Sequence, residues 1–147
     1  MLTLRPYQHS AVDAVFSWLD SELGAYDPLV VLPTGTGKSI VLSEICRRSI
    51  AEYGDMKILV VTHVMELIKQ NYAEMRLLAP TVDVGIYSAS VGRRDHQPSV
   101  VFCGIQSVFK KAHLFQKVDF VLIDECHLLS RKSASSPRCG LPIRIFG

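Results

Sequence analysis

The chain has 147 residues, 48% of them hydrophobic, and a mean hydropathy of +0.22, which suits one domain with a buried core and excludes a disordered chain. It holds no run of about 18 apolar residues and its first residues lack the basic and apolar regions of a secretion signal, so a cytoplasmic protein with no membrane association is expected. The net charge of +2 hides an asymmetry: residues 1–130 carry twelve Lys/Arg against fourteen Asp/Glu, and residues 131–147 carry four basic residues and no acid, so overall charge gives no argument for nucleic-acid binding.

Helical and apolar-strand patterns alternate along the chain. Pro6 can open a helix at its first position, Gly24 suits its end, and Val12, Val15, Phe16, Leu19 and Leu23 recur between them at helical spacing. Pro28–Leu32 is a short apolar run that ends in the glycine-rich Pro33–Ser39. Val41, Leu42, Ile45, Cys46 and Ile50 return to helical spacing, with Gly54 as a natural stop. Lys57–Thr62 is a second apolar run, and Leu67, Ile68, Tyr72, Met75 and Leu78 mark a helix stopped by Pro80. Val82–Ser88 and Ser99–Gly104 read as strands separated by the turn-rich Gly92–Pro98. Ile105–Phe115 reads as a short helix and Val118–Ile123 as a further strand ending at Asp124. Strands apolar on both faces that alternate with helices predict an α/β domain with a parallel sheet. The four cysteines form no C-x-x-C pair and the five histidines have no ligand spacing. Buried core thiols are expected rather than a His/Cys metal site.

Pro33-Thr34-Gly35-Thr36-Gly37-Lys38-Ser39 lies between a strand and a helix, where a phosphate loop must lie. Glycine lets backbone N–H groups approach phosphate oxygens, and the helix that follows adds its orphan donors and partial positive charge. Thr34, Gly35, Thr36 and Gly37 would form the cradle for ATP, Lys38 would reach the β- and γ-phosphates, and Ser39 would ligate Mg²⁺. The strict pattern asks for glycine at position 32, where this chain has Leu32. Asp124 and Glu125 follow a buried strand, and parallel strands deliver their ligand-binding residues at their carboxyl ends. Asp124 is therefore a candidate metal holder, and Glu125 a candidate to orient or deprotonate the attacking water.

Together these residues resemble the N-terminal lobe of a superfamily 2 helicase of the DEAD/DEAH-like class, with Asp124-Glu125-Cys126-His127 as a D-E-C-H variant. The branch of restriction-enzyme motor subunits and excision-repair helicases is the nearest, and there P-T-G-T-G-K-S without the first glycine is typical. The resemblance implies a RecA-like P-loop NTPase domain over residues 1–129, with a mainly parallel sheet and helices on both faces. It also implies that Gln8 pairs with the adenine edge, flanked by Arg5 or Tyr7. Thr62-His63 and Gln106-Ser107 would grip a nucleic-acid backbone, DNA rather than RNA by branch, and His127 would couple the nucleotide site to moving parts. The family more often has Thr where Gly104 stands.

The family's Ser/Thr-Ala-Thr tripeptide is missing, and Ser133-Ala134-Ser135 is too near the acidic pair to replace it. Residues 130–147 form an atypical basic tail, with 141–146 as a candidate last strand, and both an internal deletion and a frameshift fit it. The expected fold is thus incomplete at its C-terminus. If 141–146 failed to fill the slot between the phosphate-loop strand and the acidic-pair strand, the chain would be marginally stable. The expectation is a truncated ATP-binding lobe with little ATPase activity alone, because Arg131, Arg138 and Arg144 do not match the arginine of the family's second lobe. A separate chain could supply that lobe. The alternatives are a non-functional, poorly folded remnant of a helicase gene and a different phosphate-loop enzyme such as a small-molecule kinase.

Overall fold

The computed structural model describes residues 3–21, 28–115, 117–125 and the strand backbone of 142–146. Helix α1 (Pro6–Asp20) opens at the proline, whose fixed φ suits a first helical position, after an extended Arg5. Strand β1 (Leu29–Val31) leads through the glycine-rich loop into α2 (Lys38–Tyr53), which stops before Gly54 at φ +79°. Then follow β2 (Ile58–Thr62), α3 (Met65–Leu78), β3 (Val84–Ser88), β4 (Arg93–Arg94) and β5 (Val100–Gly104). The described chain continues with α4 (Ile105–Lys110), a single 3₁₀ turn (Ala112–Leu114), β6 (Phe120–Ile123) and β7 (Pro142–Phe146). No described helix is long and apolar enough to cross a membrane.

The seven strands form one sheet in the order β1-β7-β6-β2-β5-β3-β4. Every pairing is parallel except β3 with β4. The alternation of side chains along β2 shows why residues 58–61 are all apolar. Ile58 and Val60 join Phe16, Leu42, Ile45, Ile68 and Met75 under α1, α2 and α3. Leu59 and Val61 point the other way, into a second cluster with Val101 and Cys103 of β5 and with Ile105, Phe115 and Val118, which α4 and the segment after it supply. Helices thus cover both faces. Cys46 and Cys103 are buried free thiols, one in each cluster; Cys126 and Cys139 lie outside the described residues, as does Gly24.

Three elements depart from the sequence pattern. The first helix, expected to run to Gly24, ends at Asp20 with Ser21 extended. The turn-rich stretch at 92–98 contains β4, a two-residue strand returning antiparallel on β3. Asp95 fastens this hairpin by accepting from the Ile86 amide at 3.1 Å and from Arg93. The helix expected over 105–115 breaks at Lys111 into α4 and the 3₁₀ turn. At the other end of the sheet β7 occupies the slot between β1 and β6, pairing Val30 with Ile145 and Leu122 with Ile143. The phosphate-loop strand and the acidic-pair strand therefore each have a hydrogen-bonding neighbour there.

Candidate functional site

Because β1, β6, β2, β5 and β3 run the same way, the segments leaving them gather along one edge of the sheet. At about 4.8 Å per strand, β6 lies some 10 Å from β1, and β5 about 10 Å beyond β6. The acidic pair therefore stands between the glycine-rich loop and the turns after β2 and β5.

The loop is shaped by two residues in the left-handed region, Gly35 at φ +79° and Gly37 at φ +77°. Thr36 closes it inward, its hydroxyl donating to Pro33 O at 2.6 Å. Beneath it lies Gln8, only 2% exposed. Its Nε2 donates to Thr36 O at 2.9 Å and its Oε1 accepts from the Arg5 amide at 2.8 Å. The Tyr7 hydroxyl donates to the same Thr36 carbonyl at 2.8 Å, and Arg5 is exposed beside Tyr7. The segment expected to read adenine is thus a strut that sets the loop's height, with one N–H and one lone pair of Gln8 left over for a base edge.

Lys38, the first residue of α2, forms a part-buried ion pair with Glu125. Glu125 itself holds φ +56°, the one described non-glycine residue at positive φ, a conformation that costs of order 1–3 kcal/mol and collects at functional sites. Its neighbour Asp124 is 3% exposed, and burial pushes its carboxyl above the ordinary carboxylate range, opposed by a hydrogen bond from Asn71 and by the Lys38 charge. Asn71 Nδ2 donates to Asp124 Oδ2 at 3.2 Å, while Asp124 Oδ1 is buried with no partner among the described residues. Ser39 is 8% exposed, its Oγ 3.5 Å from Gln70 Nε2. A buried, under-bonded carboxylate oxygen and a serine hydroxyl are the hard oxygen donors that Mg²⁺ requires, so the residues fit that ion.

On the other side of the acidic pair lies a groove of about 420 Å³. His63, Gln106 and Ser107 line it, joined by Arg94, Lys110 and Lys111, which are all exposed. Thr62, expected to grip the strand with His63, is not among the residues lining the groove: it is 2% exposed, its hydroxyl accepting from the Val64 amide at 3.4 Å. Ser107 Oγ accepts from the Ala89 amide at 3.0 Å, joining the turn after β5 to the hairpin. A Cβ on Gly104 would lie 3.3 Å from Ser88 Oγ, so the buried Ser88 takes space that a threonine would need. His127 lies outside the described residues.

The sequence reading missed Arg94, Lys110, Lys111, Gln70 and Asn71. The three cations come from a hairpin and a helix end too short to show a charge pattern. Asn71 carried a signal: it falls three residues after Ile68 and four before Met75, on the buried face of α3, and a buried amide needs a partner.

Among solved structures, the chain is similar to the UvsW helicase from bacteriophage T4, with 25% identity, a TM-score of 0.74, and coverage of 99% of this chain and 53% of that one. The fold also matches the nuclease-deletion mutant of the type ISP restriction-modification enzyme LlaGI, solved with a DNA substrate mimic (17% identity, TM-score 0.69, 99% and 17% covered). A third likeness is the Sulfolobus solfataricus SWI2/SNF2 ATPase core, solved with double-stranded DNA (16% identity, TM-score 0.78, 99% and 32% covered). The chain thus spans about half of UvsW and less of the other two, and no curated protein matches it. Residues 1–138 match the family of the type III restriction enzyme, res subunit, a family of RecA-like helicase lobes with the sheet and phosphate loop described above, and the chain belongs to it.

Proposed function

We propose that this domain is the ATP-binding lobe of an ATP-dependent DNA helicase or translocase, using Mg²⁺ and gripping its strand through the backbone. The observation that carries the reading is the meeting of Lys38 with Glu125, from residues 87 apart, next to an Asp124 whose buried Oδ1 has no partner among the described residues. Bound at Ser39 and Asp124, Mg²⁺ would offset the negative charge of the β- and γ-phosphates.

On ATP binding Lys38 would turn from Glu125 to the phosphates, and Glu125, at the end of β6 beside it, is the group that would orient water and take its proton. Gln8 and Tyr7 hold Thr36 in place, so the loop amides need little rearrangement when the nucleotide arrives. In the groove, His63, Gln106, Ser107, Arg94, Lys110 and Lys111 offer donors and positive charge suited to phosphate and sugar oxygens, a contact type that carries little sequence preference. The reading includes a second helicase lobe supplying the arginine that stabilises the transferring phosphoryl group.

The test is Mg²⁺-dependent ATP binding and hydrolysis, with and without single-stranded DNA, against Lys38→Ala. The reading expects binding that needs both Mg²⁺ and Lys38, and turnover that is slow without the second lobe. Binding that survives Lys38→Ala unchanged would sink it.

A further inference from the structure

Helix α3 touches both halves of the site. Its first turn and a half supplies Met65 and Ile68 to the groove, on the side where His63 and the Gly104–Ser107 turn lie. One turn further on, Gln70 Nε2 approaches Ser39 Oγ and Asn71 donates to Asp124 Oδ2. The two residues fit for Mg²⁺ are thus each met by a side chain of this one helix. The helix is braced against α2 on one side and against β3 and β5 on the other. Asn71 is fully buried and its Oδ1 also has no partner among the described residues. A buried amide with one end on a carboxylate and the other end unpaired is costly as mere packing. Its oxygen is of the kind that accepts from a metal-bound water, and Mg²⁺ usually keeps several waters.

We propose that Asn71 is a positioning residue for the Asp124 carboxylate, and that α3, which carries it, couples strand binding in the groove to Mg²⁺–ATP binding. Ile68 and Asn71 are three residues apart, so about 4.5 Å of helix rise separates the groove wall from the metal-site hydrogen bond. A helix turn is stiff over that length. A strand that shifts the first turn of α3 moves Asn71 against Asp124, and closure of Asp124 on a metal moves the groove wall in return. By linkage, each ligand then tightens the other by the same factor. The inference rests on the ATP-site reading above and adds to it the element that carries the signal.

The experiment uses the full chain with a fluorescent non-hydrolysable ATP analogue, Mg²⁺ and a single-stranded oligonucleotide. In wild type, analogue and oligonucleotide should each tighten the other by the same factor. Asn71→Ala should need about 10–100-fold more Mg²⁺ to bind the analogue, the usual loss when a ligand-orienting residue is removed. Its analogue affinity at saturating Mg²⁺ and its oligonucleotide affinity without nucleotide should stay at wild-type values, and the mutual tightening should fall to about 1. A purely structural role would lower the melting temperature and leave the Mg²⁺ midpoint and the coupling factor alone, and that result overturns the proposal, as does a wild type with no mutual tightening. If Asn71→Ala fails to melt cooperatively, Gln70→Ala decides, since Gln70 is exposed: the Mg²⁺ midpoint should rise, and an unchanged midpoint overturns the proposal. Lys38→Ala separates the two readings, because wild-type analogue binding that ignores Lys38 removes the ATP site itself.

Discussion

Gly35 and Gly37 hold nearly the same backbone angle, yet replacing each with alanine should have different costs. An alanine at either position bears the left-handed strain of roughly 1–2 kcal/mol. At Gly35 the added Cβ meets nothing within 4 Å, so strain is the whole effect. At Gly37 it would lie 2.6 Å from Gln8 Nε2. That amide can swing aside only by giving up its bonds to Thr36 O and the Arg5 amide, each worth about 1 kcal/mol net. Gly37→Ala should therefore cost about 2–4 kcal/mol and exceed Gly35→Ala by about 1–2 kcal/mol. In a Gln8→Ala background the obstruction is gone, and the Gly37→Ala penalty should fall to the Gly35→Ala value. Urea unfolding followed through Trp18, the single tryptophan, measures all the variants on one scale. A Gly37→Ala penalty that is the same with and without Gln8 would refute the strut.

Three further outcomes are expected. Asp124→Asn should raise the stability of the nucleotide-free protein by about 1 kcal/mol by removing a buried charge, while weakening Mg²⁺-dependent nucleotide binding. Burial raises the Asp124 carboxyl above its ordinary 3.8, so between that value and the folded one the native state holds more protons than the unfolded state. Wild-type stability should contain a component that declines as pH rises through this window, and Asp124→Asn should lack it in pH-dependent urea titrations. Replacing Arg94, Lys110 and Lys111 together by alanine should weaken single-stranded DNA binding and flatten its log-salt slope by about 2, at roughly 0.7 per phosphate contact, with nucleotide affinity unchanged. Asp95→Ala should speed hydrogen exchange at the Ile86 amide and weaken DNA binding through the loosened hairpin, leaving Mg²⁺–ATP binding intact.

The parts of the molecule legible in the sequence are those where one local rule suffices. The run 58–61 is apolar because both its faces are covered, and Gly37 before Lys38 marks a loop-to-helix turn that enters the left-handed region. The pairing of β4 was not legible, because two residues carry no period and their place depends on Asp95 reaching across to Ile86. Gln8 shows a different limit. The sequence marks it as an amide of special use, but not that Thr36 and Arg5 take one bond from each of its ends. Asn71 announced itself as polar on an apolar face, while its partner lies 53 residues away and follows only from how α3 crosses the sheet.

The place of β1 at the sheet's edge bears on how the protein comes to be folded. Among the described residues its only neighbour is β7, so the strand that feeds the phosphate loop joins the sheet through a segment synthesised more than a hundred residues later. At about 5–20 residues per second, a ribosome needs on the order of ten seconds to deliver that partner. Through that interval β2, β3, β5 and β6 can already pair among themselves, whereas the nucleotide loop hangs from an unpaired strand, with Leu29 and Val31 exposed even in the finished fold. Competence to hold ATP thus waits for residues 142–146, and a nascent chain stalled short of residue 142 presents an open, apolar strand edge to chaperones and to other copies of itself.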